Sequence, residues 1–421
     1  MSIEYKNNIL SCGGLDVTEI CNKFETPLYL YDAEIVKNRA ATFNNAFKNS
    51  GDKIHFAVKA NSNLSILNII HKEGLGADIV SIGEYEAAIR AGFTSDDITF
   101  AGVGKREDEL SEALKRGIKL IIAESVKEVE LINRLSAKNN SKAAIGLRVN
   151  PNIDSHTHKN LSAGLHNDKF GMDENDILSL FDRRKDFTNI DMIALHIHIG
   201  SQVKDAQPFL LEAKYVSNLL SKINKTEQII KILNLGGGLG VNYENMLPGR
   251  SDYNYLMPNE LADTIVPALK STECSIHLEP GRWIVAPSAI LLTQVQYVKT
   301  IGNNKFVITD AGMTDFLRPG LYDAFHPIVP VIQSDAPKEK VNIVGPICES
   351  TDSFVENYPL QEVSKGDLLA IMGVGAYGYS LSSNYNMHPR PAEVMVENSK
   401  TKLIRRREVL DNLFEGMIDL E

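Results

Sequence analysis

A lysine directly follows a short apolar run in this 421-residue chain: IHFAV (54–58) leads into Lys59. An ammonium group is costly to desolvate at such a place and gives up its proton readily, which suits a nucleophile that forms a Schiff base. A lysine whose stem packs while its head reaches water fits the same position. Other apolar runs also end in polar groups. ADIV (77–80) contains Asp78, AAIGLRV (143–149) carries Arg148 with Asn150 after it, and IALHIHIG (193–200) carries His196 and His198 before Ser201. ILNLGGG (232–238) ends in Gly236, Gly237 and Gly238, and SIHLEPG (275–281) carries Glu279 with Arg282 next. Three successive glycines let backbone N–H groups approach an anion such as a phosphate. They also suit a plain tight turn, and their spacing is not that of a GxGxxG fingerprint. His196 and His198 share strand parity, yet no HExxH or third acidic ligand accompanies them as a metal site would require. A histidine to stack on a ring and a carboxylate to keep a pyridine nitrogen protonated complete a different set. Lysine, phosphate cradle, histidine and carboxylate together suggest pyridoxal 5′-phosphate.

These groups need a scaffold that brings strand ends together. Besides the runs above, ITFAG (98–102) and KLIIAE (119–124) are strand-like, which makes eight. Segments of helical periodicity alternate with them, for instance 64–74, 83–92 and 106–117, each closed by glycine. Strand alternating with helix implies a parallel sheet with right-handed crossovers, and eight units over roughly 250 residues match a closed (β/α)8 barrel. A doubly wound open sheet is the rival. In such a barrel the chemistry sits at the C-terminal strand ends, where the polar groups fall. After Arg282 the rhythm changes to strands joined by turns, so a mostly β domain is expected over 285–421, following the barrel at 34–284. PLYLYD (27–32) lies in a leading segment, 1–33, expected to join that β domain.

Composition narrows the function classes. A hydrophobic content of 43% excludes a disordered chain, and 44 Lys+Arg against 54 Asp+Glu give a net charge of −10 with no field for a polyanion. Nucleic-acid binding is not expected, and the run Arg405, Arg406 and Arg407 reads as a solvated strand end. The start, MSIEYKNNIL, has no basic segment before an apolar stretch, and no apolar run reaches about 18 residues. The expectation is a soluble, cytoplasmic protein. Four cysteines (Cys12, Cys21, Cys274, Cys348) contain no CxxC pair, so any that matters acts as a thiol.

Taken together, AVKAN (57–61), HIGSQ (198–202), GGG (236–238), EPGR (279–282), GPICESTD (345–352) and GAYGYS (375–380) resemble the fold type III pyridoxal-phosphate-dependent decarboxylases. The resemblance spans nearly the whole chain with the motifs in order. RPGLYDAFHP (318–327) is similar to the segment that holds the substrate carboxylate in the branch acting on meso-2,6-diaminopimelate, which releases CO2 and leaves L-lysine. The resemblance implies an alanine-racemase-like barrel with a β-sandwich domain. It implies Lys59 as the Schiff-base lysine, Asp78 among the cofactor-binding residues, His198 stacked on the pyridine ring and Glu279 at its nitrogen. Ser201, the Gly236 to Gly238 backbone and Tyr377 would take the phosphate. Arg282, Arg318, Tyr322 and Tyr377 would bind the substrate, with Glu349 at its amino group. Cys348 would stand beside the reacting carbon, and either Cys348 or Lys59 would return the proton. In this family Cys348 and Glu349 would come from a second subunit, so a homodimer with shared active sites is implied. SHTHKNLSAG (155–164) is given no chemistry.

Relatives of the same fold offer alternatives. A basic amino-acid decarboxylase of the ornithine/arginine type recognises only an amine at the far end, where Arg282, Arg318 and Tyr322 would be misplaced. That branch has Asp after the cysteine, and here the residue is Glu349. An alanine racemase would be expected to hold the pyridine nitrogen with Arg, where this chain has Glu279. A non-catalytic carrier of the cofactor would be shorter and without the CESTD segment.

Overall fold

The computed structural model describes residues 3–48, 52–153, 169–224 and 229–418 of the chain. The stretch 155–164 thus lies outside the described residues. The chain divides into two compact units: one comprises Lys37–Val241 and Tyr255–Ile284, the other Met1–Val36, Asn242–Asn254 and Val285–Glu421.

The first of these units contains a closed eight-stranded barrel, which removes the open-sheet alternative. Its strands, in order, are Lys53–Ala57, Gly76–Ile79, Ile98–Phe100, Leu120–Ala123, Ala143–Arg148, Ile190–His196, Ile232–Asn234 and Ser275–Leu278. All neighbours run parallel, and the eighth closes on the first through His277 opposite Lys53 and Leu278 opposite Ile54. The strands are short and apolar because both faces are covered, the condition under which an all-parallel sheet persists. Helices Leu64–Lys72, Ile82–Ala91 and Glu107–Lys115 follow the first three strands. Asn63 and Ser81 cap the first two by accepting from backbone N–H groups one turn in. Inside the barrel Ala101, Leu120, Ile122 and Ala194 form one apolar cluster. Gly146 on strand five is required there, since a Cβ would stand 2.6 Å from the Ile122 side chain.

The other unit is built on a nine-stranded sheet in which Ala289–Ile301 pairs antiparallel with Leu28–Asp32, Asn304–Thr309 and Leu368–Met372. Leu28–Asp32 pairs on its other side, parallel, with Ala392–Glu397. Residues 242–254, which fall between barrel strands seven and eight in the sequence, belong to this unit. The arginine run departs from expectation at one residue. Arg405 is ion-paired with buried Glu393 and its guanidinium lies 4.6 Å from the Tyr379 ring centroid. Arg407 donates to the carbonyls of Phe24, Glu25 and Pro27. Arg405, at the end of its strand, and Arg406 remain exposed as expected, and only Arg407 is drawn partly inward. No helix among the described residues is long and apolar enough to cross a membrane.

Candidate active site

Three strand ends meet at one carboxylate. Glu279, one residue past strand eight, is buried, with Oε2 3.1 Å from His196 Nε2 and Oε1 accepting from Asn234 Nδ2 at 2.6 Å. His196 and Asn234 are the last residues of strands six and seven, so the barrel register itself sets these contacts. Burial alone would raise the pKa of Glu279. His196, through charge and hydrogen bond, together with Lys59 and Asn234, holds it instead well below the usual carboxylate range. Asp78, on strand two, goes the other way: burial, reinforced by the charge of Glu279, pushes it up to about 8 against the pull of Lys59. The two acids are thus shifted in opposite directions, Glu279 down and Asp78 up.

Lys59 sits on a single 3₁₀ turn, Val58–Ala60, rather than on the strand that precedes it. Its Nζ lies 3.3 Å from Asp78 Oδ2. Its side chain is 42% exposed, whereas that of Asp78 is fully buried, so the amine is open to a reactant on one side and held by an acid on the other.

His196 and His198 do not act as a pair. His198 lies beyond the strand, and its Nδ1 accepts the Gly237 N–H at 3.2 Å, which places the proton of the neutral ring on Nε2. Burial, with the charges of Arg148 and Lys59, keeps this imidazole neutral by pushing its pKa well below the ordinary value. Arg148 is in turn fixed by Glu124, whose Oε1 accepts from Nη1 at 2.7 Å while Oε2 accepts the Gly171 N–H at 2.9 Å.

The glycine triplet follows strand seven closely packed. A Cβ at Gly237 would lie 2.3 Å from the Glu279 carbonyl oxygen, and one at Gly238 would lie 2.5 Å from that of Gly200. Two of the three amides are engaged within the protein: Gly236 N–H donates to Asn234 Oδ1 and Gly237 N–H to His198. The Gly238 amide has no protein acceptor among the described residues. Near it in sequence register, Val203 pairs with Leu239, which brings the 200–203 turn against 238–240. Ser201 on that turn accepts from Arg282 Nη2 at 3.1 Å.

The remaining expected residues lie in the other unit. Arg318 is buried at the start of the short helix Arg318–Tyr322 and donates from Nη1 to His326 Nε2 at 2.7 Å. His326 Nδ1 donates to the Met372 carbonyl at 2.8 Å, which fixes the tautomer that can accept from Arg318. Tyr322 and Tyr377 are half-buried, and Tyr377 adopts a positive φ of 55°. Cys348 and Glu349 are exposed on this chain.

Four residues of this site carried no assigned role from sequence: His196, Asn234, Glu124 and Arg148. Their signal is a polar residue at the last position of an otherwise apolar barrel strand, or one beyond it.

The barrel site fits pyridoxal 5′-phosphate on its own chemistry. A buried carboxylate held anionic suits a pyridine N–H, and a neutral imidazole suits stacking on the ring. An amine beside a high-pKa acid suits an aldehyde, and a backbone amide and hydroxyl beside an arginine suit a phosphate. Asp78 Oδ1 is buried without a partner among the described residues, a polar atom left for something beyond the chain to satisfy.

Comparison with known proteins agrees. The family described as pyridoxal-dependent decarboxylase, pyridoxal binding domain, matches residues 33–286. Diaminopimelate decarboxylase of Aquifex aeolicus is 39% identical over 420 residues, covering 99% of this chain and 98% of that protein. The enzyme of the same name from Helicobacter pylori strain J99 is 41% identical, covering 95% and 98%. The crystal structure of diaminopimelate decarboxylase from Helicobacter pylori complexed with L-lysine matches with a TM-score of 0.90 at 39% identity, over 95% of this chain and 98% of that one. Lysine/ornithine decarboxylase from Vibrio vulnificus complexed with putrescine shares the fold, with a TM-score of 0.76 at 20% identity over 91% and 98%.

Proposed function

The chain belongs to the pyridoxal-dependent decarboxylases, and from that membership we propose that it removes CO2 from meso-2,6-diaminopimelate with pyridoxal 5′-phosphate as cofactor, releasing L-lysine as the last step of lysine biosynthesis. The observation that carries this reading is the anionic, buried Glu279 fixed by His196 and Asn234 within reach of the Lys59–Asp78 pair. The ornithine/arginine alternative rests on likeness of fold at 20% identity.

When bound, the cofactor supplies an aldehyde for an amine and a ring that takes up the electron pair left by departing CO2. Lys59 would hold the cofactor through its aldehyde. Asp78, raised by burial and 3.3 Å from Nζ, would hold or pass a proton at the lysine amine. Glu279 would hold a proton at the ring nitrogen, and the neutral His198 would support the ring. Ser201, the Gly238 amide and Tyr377 would hold the phosphate, with Gly236 and Gly237 contributing through the tight turn, their amides being engaged by Asn234 and His198. Arg282, Arg318 and Tyr322 bind the carboxylate that stays on the substrate, which an amine-ended substrate would leave unpaired. Glu349 receives the distal amino group, and Cys348 or Lys59 returns a proton to Cα. The exposure of Cys348 and Glu349 supports a homodimer in which they serve the site of a second copy.

Purified holoprotein should be given meso-diaminopimelate, L-ornithine, L-arginine and D-alanine separately, with CO2 and product detection. Equimolar CO2 and L-lysine from the first alone is expected. Diamine from ornithine or arginine at comparable kcat/KM would replace this reading with the alternative.

A further inference from the structure

Gln202 follows Ser201 on the turn beyond strand six and lies in the left-handed region, at a φ of 67°. A residue with a Cβ is strained there, and such strain persists only where the surroundings over-determine it. What holds Gln202 is its own carboxamide. Nε2 donates to the Val241 carbonyl at 2.6 Å, and Oε1 accepts the Val241 N–H at 3.1 Å. One side chain thereby satisfies both backbone groups of Val241, as a neighbouring strand would. Val241 is buried, so leaving either group unpaired would be costly.

The backbone continues the stitch. Val203 N–H donates to the Gly238 carbonyl and Gly240 N–H to the Val203 carbonyl, each at 2.9 Å. The two turns are pressed so close that a Cβ at Gly240 would stand 2.8 Å from the Val203 carbonyl oxygen and 2.9 Å from the carbonyl carbon of Gln202. Ser201 precedes Gln202 on one turn, and Gly238 stands on the other, so the clamp closes beside the hydroxyl and the amide assigned to the phosphate. A hydroxyl on one turn and an amide on another can meet a single anion only if the turns keep their spacing. We propose that Gln202 is a positioning residue for the cofactor. It acts through Ser201 and Gly238, holding the 200–203 turn against 238–241 so that both donors stay set for one phosphate group. The inference rests on the reading above that Ser201 and the Gly238 amide bind that phosphate.

The test compares wild type, Gln202→Gly and Gln202→Glu as full-length protein. Glycine takes the positive φ without strain, so it removes the carboxamide and keeps the turn. Glutamate keeps an acceptor for the Val241 N–H but sets its second oxygen against the Val241 carbonyl, a contact that is favourable only when the carboxyl is protonated. Dissociation constants are read from the cofactor absorption band as stripped holoenzyme is reloaded with pyridoxal 5′-phosphate, and again with pyridoxal, which lacks the phosphate. Gln202→Gly should weaken the phosphorylated form roughly ten-fold and leave pyridoxal unchanged. Gln202→Glu should be as weak at a pH of about 8 and approach wild type as pH falls to about 5.5. Wild-type affinity in Gln202→Gly, equal weakening of both cofactor forms, or a Gln202→Glu deficit that ignores pH would overturn the proposal. The glutamate variant keeps the test decisive should the glycine variant not fold. Ser201→Ala separates this inference from the reading beneath it. Unchanged affinity for pyridoxal 5′-phosphate in that variant would remove Ser201 from the phosphate site and overturn both, whereas weakening there beside an unaffected Gln202→Gly would overturn only the positioning role.

Discussion

His196 Nε2 and Glu279 Oε2 lie 3.1 Å apart, both buried, at the C-terminal ends of barrel strands that are not adjacent in the sheet. Between them stands strand seven, whose last residue, Asn234, takes the other carboxylate oxygen. The carboxylate is thus clamped by two neighbours whose positions depend on strand register rather than on a loop. A site on such supports keeps its geometry better than one built on mobile connections.

The clamp has a kinetic consequence. His196→Phe leaves Glu279 with Asn234 alone in a buried setting, and its pKa rises. A fall in kcat of roughly 10- to 100-fold is expected, with a smaller change in KM, and a loss of about 1–3 kcal/mol in stability. His196→Gln restores a donor and should recover part of kcat. Equal activity in the Phe variant and the wild type would make the histidine a packing residue only.

Lys59→Ala should abolish turnover and remove the borohydride-reducible link between chain and cofactor. Peptide mapping of the reduced wild-type protein checks the assignment. A reducible adduct at any other lysine would move the nucleophile elsewhere.

Asp78 gives a pH signature in the cofactor-free protein. Its pKa rises from an ordinary 3.8 to about 8 on folding, so between those values the native state binds more protons than the unfolded state. Stability from this residue is present below pH of about 4 and is lost as pH rises through about 8. Asp78→Asn removes the dependence, so the variant should gain on wild type progressively across that window in urea melts. A constant difference between the two at all pH values would contradict the shift.

The shared-site reading is tested by complementation. Mixing inactive Lys59→Ala with inactive Glu349→Ala protein after reversible dissociation gives hybrids with one intact site if the two residues meet across a two-fold axis. Recovery of about a quarter of wild-type activity is expected at equal mixing. No recovery despite demonstrated exchange would place both residues of a site in one chain.

Much of this architecture was legible because short apolar runs with polar ends are what a two-face-covered parallel strand needs. The runs at 54–58, 77–80 and 119–124 each overlap a barrel strand to within a residue or two at the ends. The turn carrying Lys59 was not legible, because three residues of 3₁₀ helix leave no periodicity to read. The partners of the Gly236 and Gly237 amides were hidden for a different reason. They come from side chains two and 39 residues away, and only the folded register brings the second into place. Asn234 and Glu124 went unassigned because a lone amide or carboxylate at a strand end is unremarkable until its partner is known. Arg407 was misread as solvated since charge runs usually are, whereas here three open carbonyls draw it partly inward.

An ionised Glu279 would keep a proton on the cofactor ring nitrogen, and that proton is directly observable. Holoenzyme reconstituted with 15N-labelled pyridoxal 5′-phosphate should show a protonated ring nitrogen across the pH range of activity in the wild type. In Glu279→Gln the resonance should move to the unprotonated position while the cofactor remains bound, and kcat should fall in parallel. A ring nitrogen unprotonated in the wild type, or protonated equally in the variant with turnover unchanged, would contradict the role of the carboxylate on which the mechanism rests.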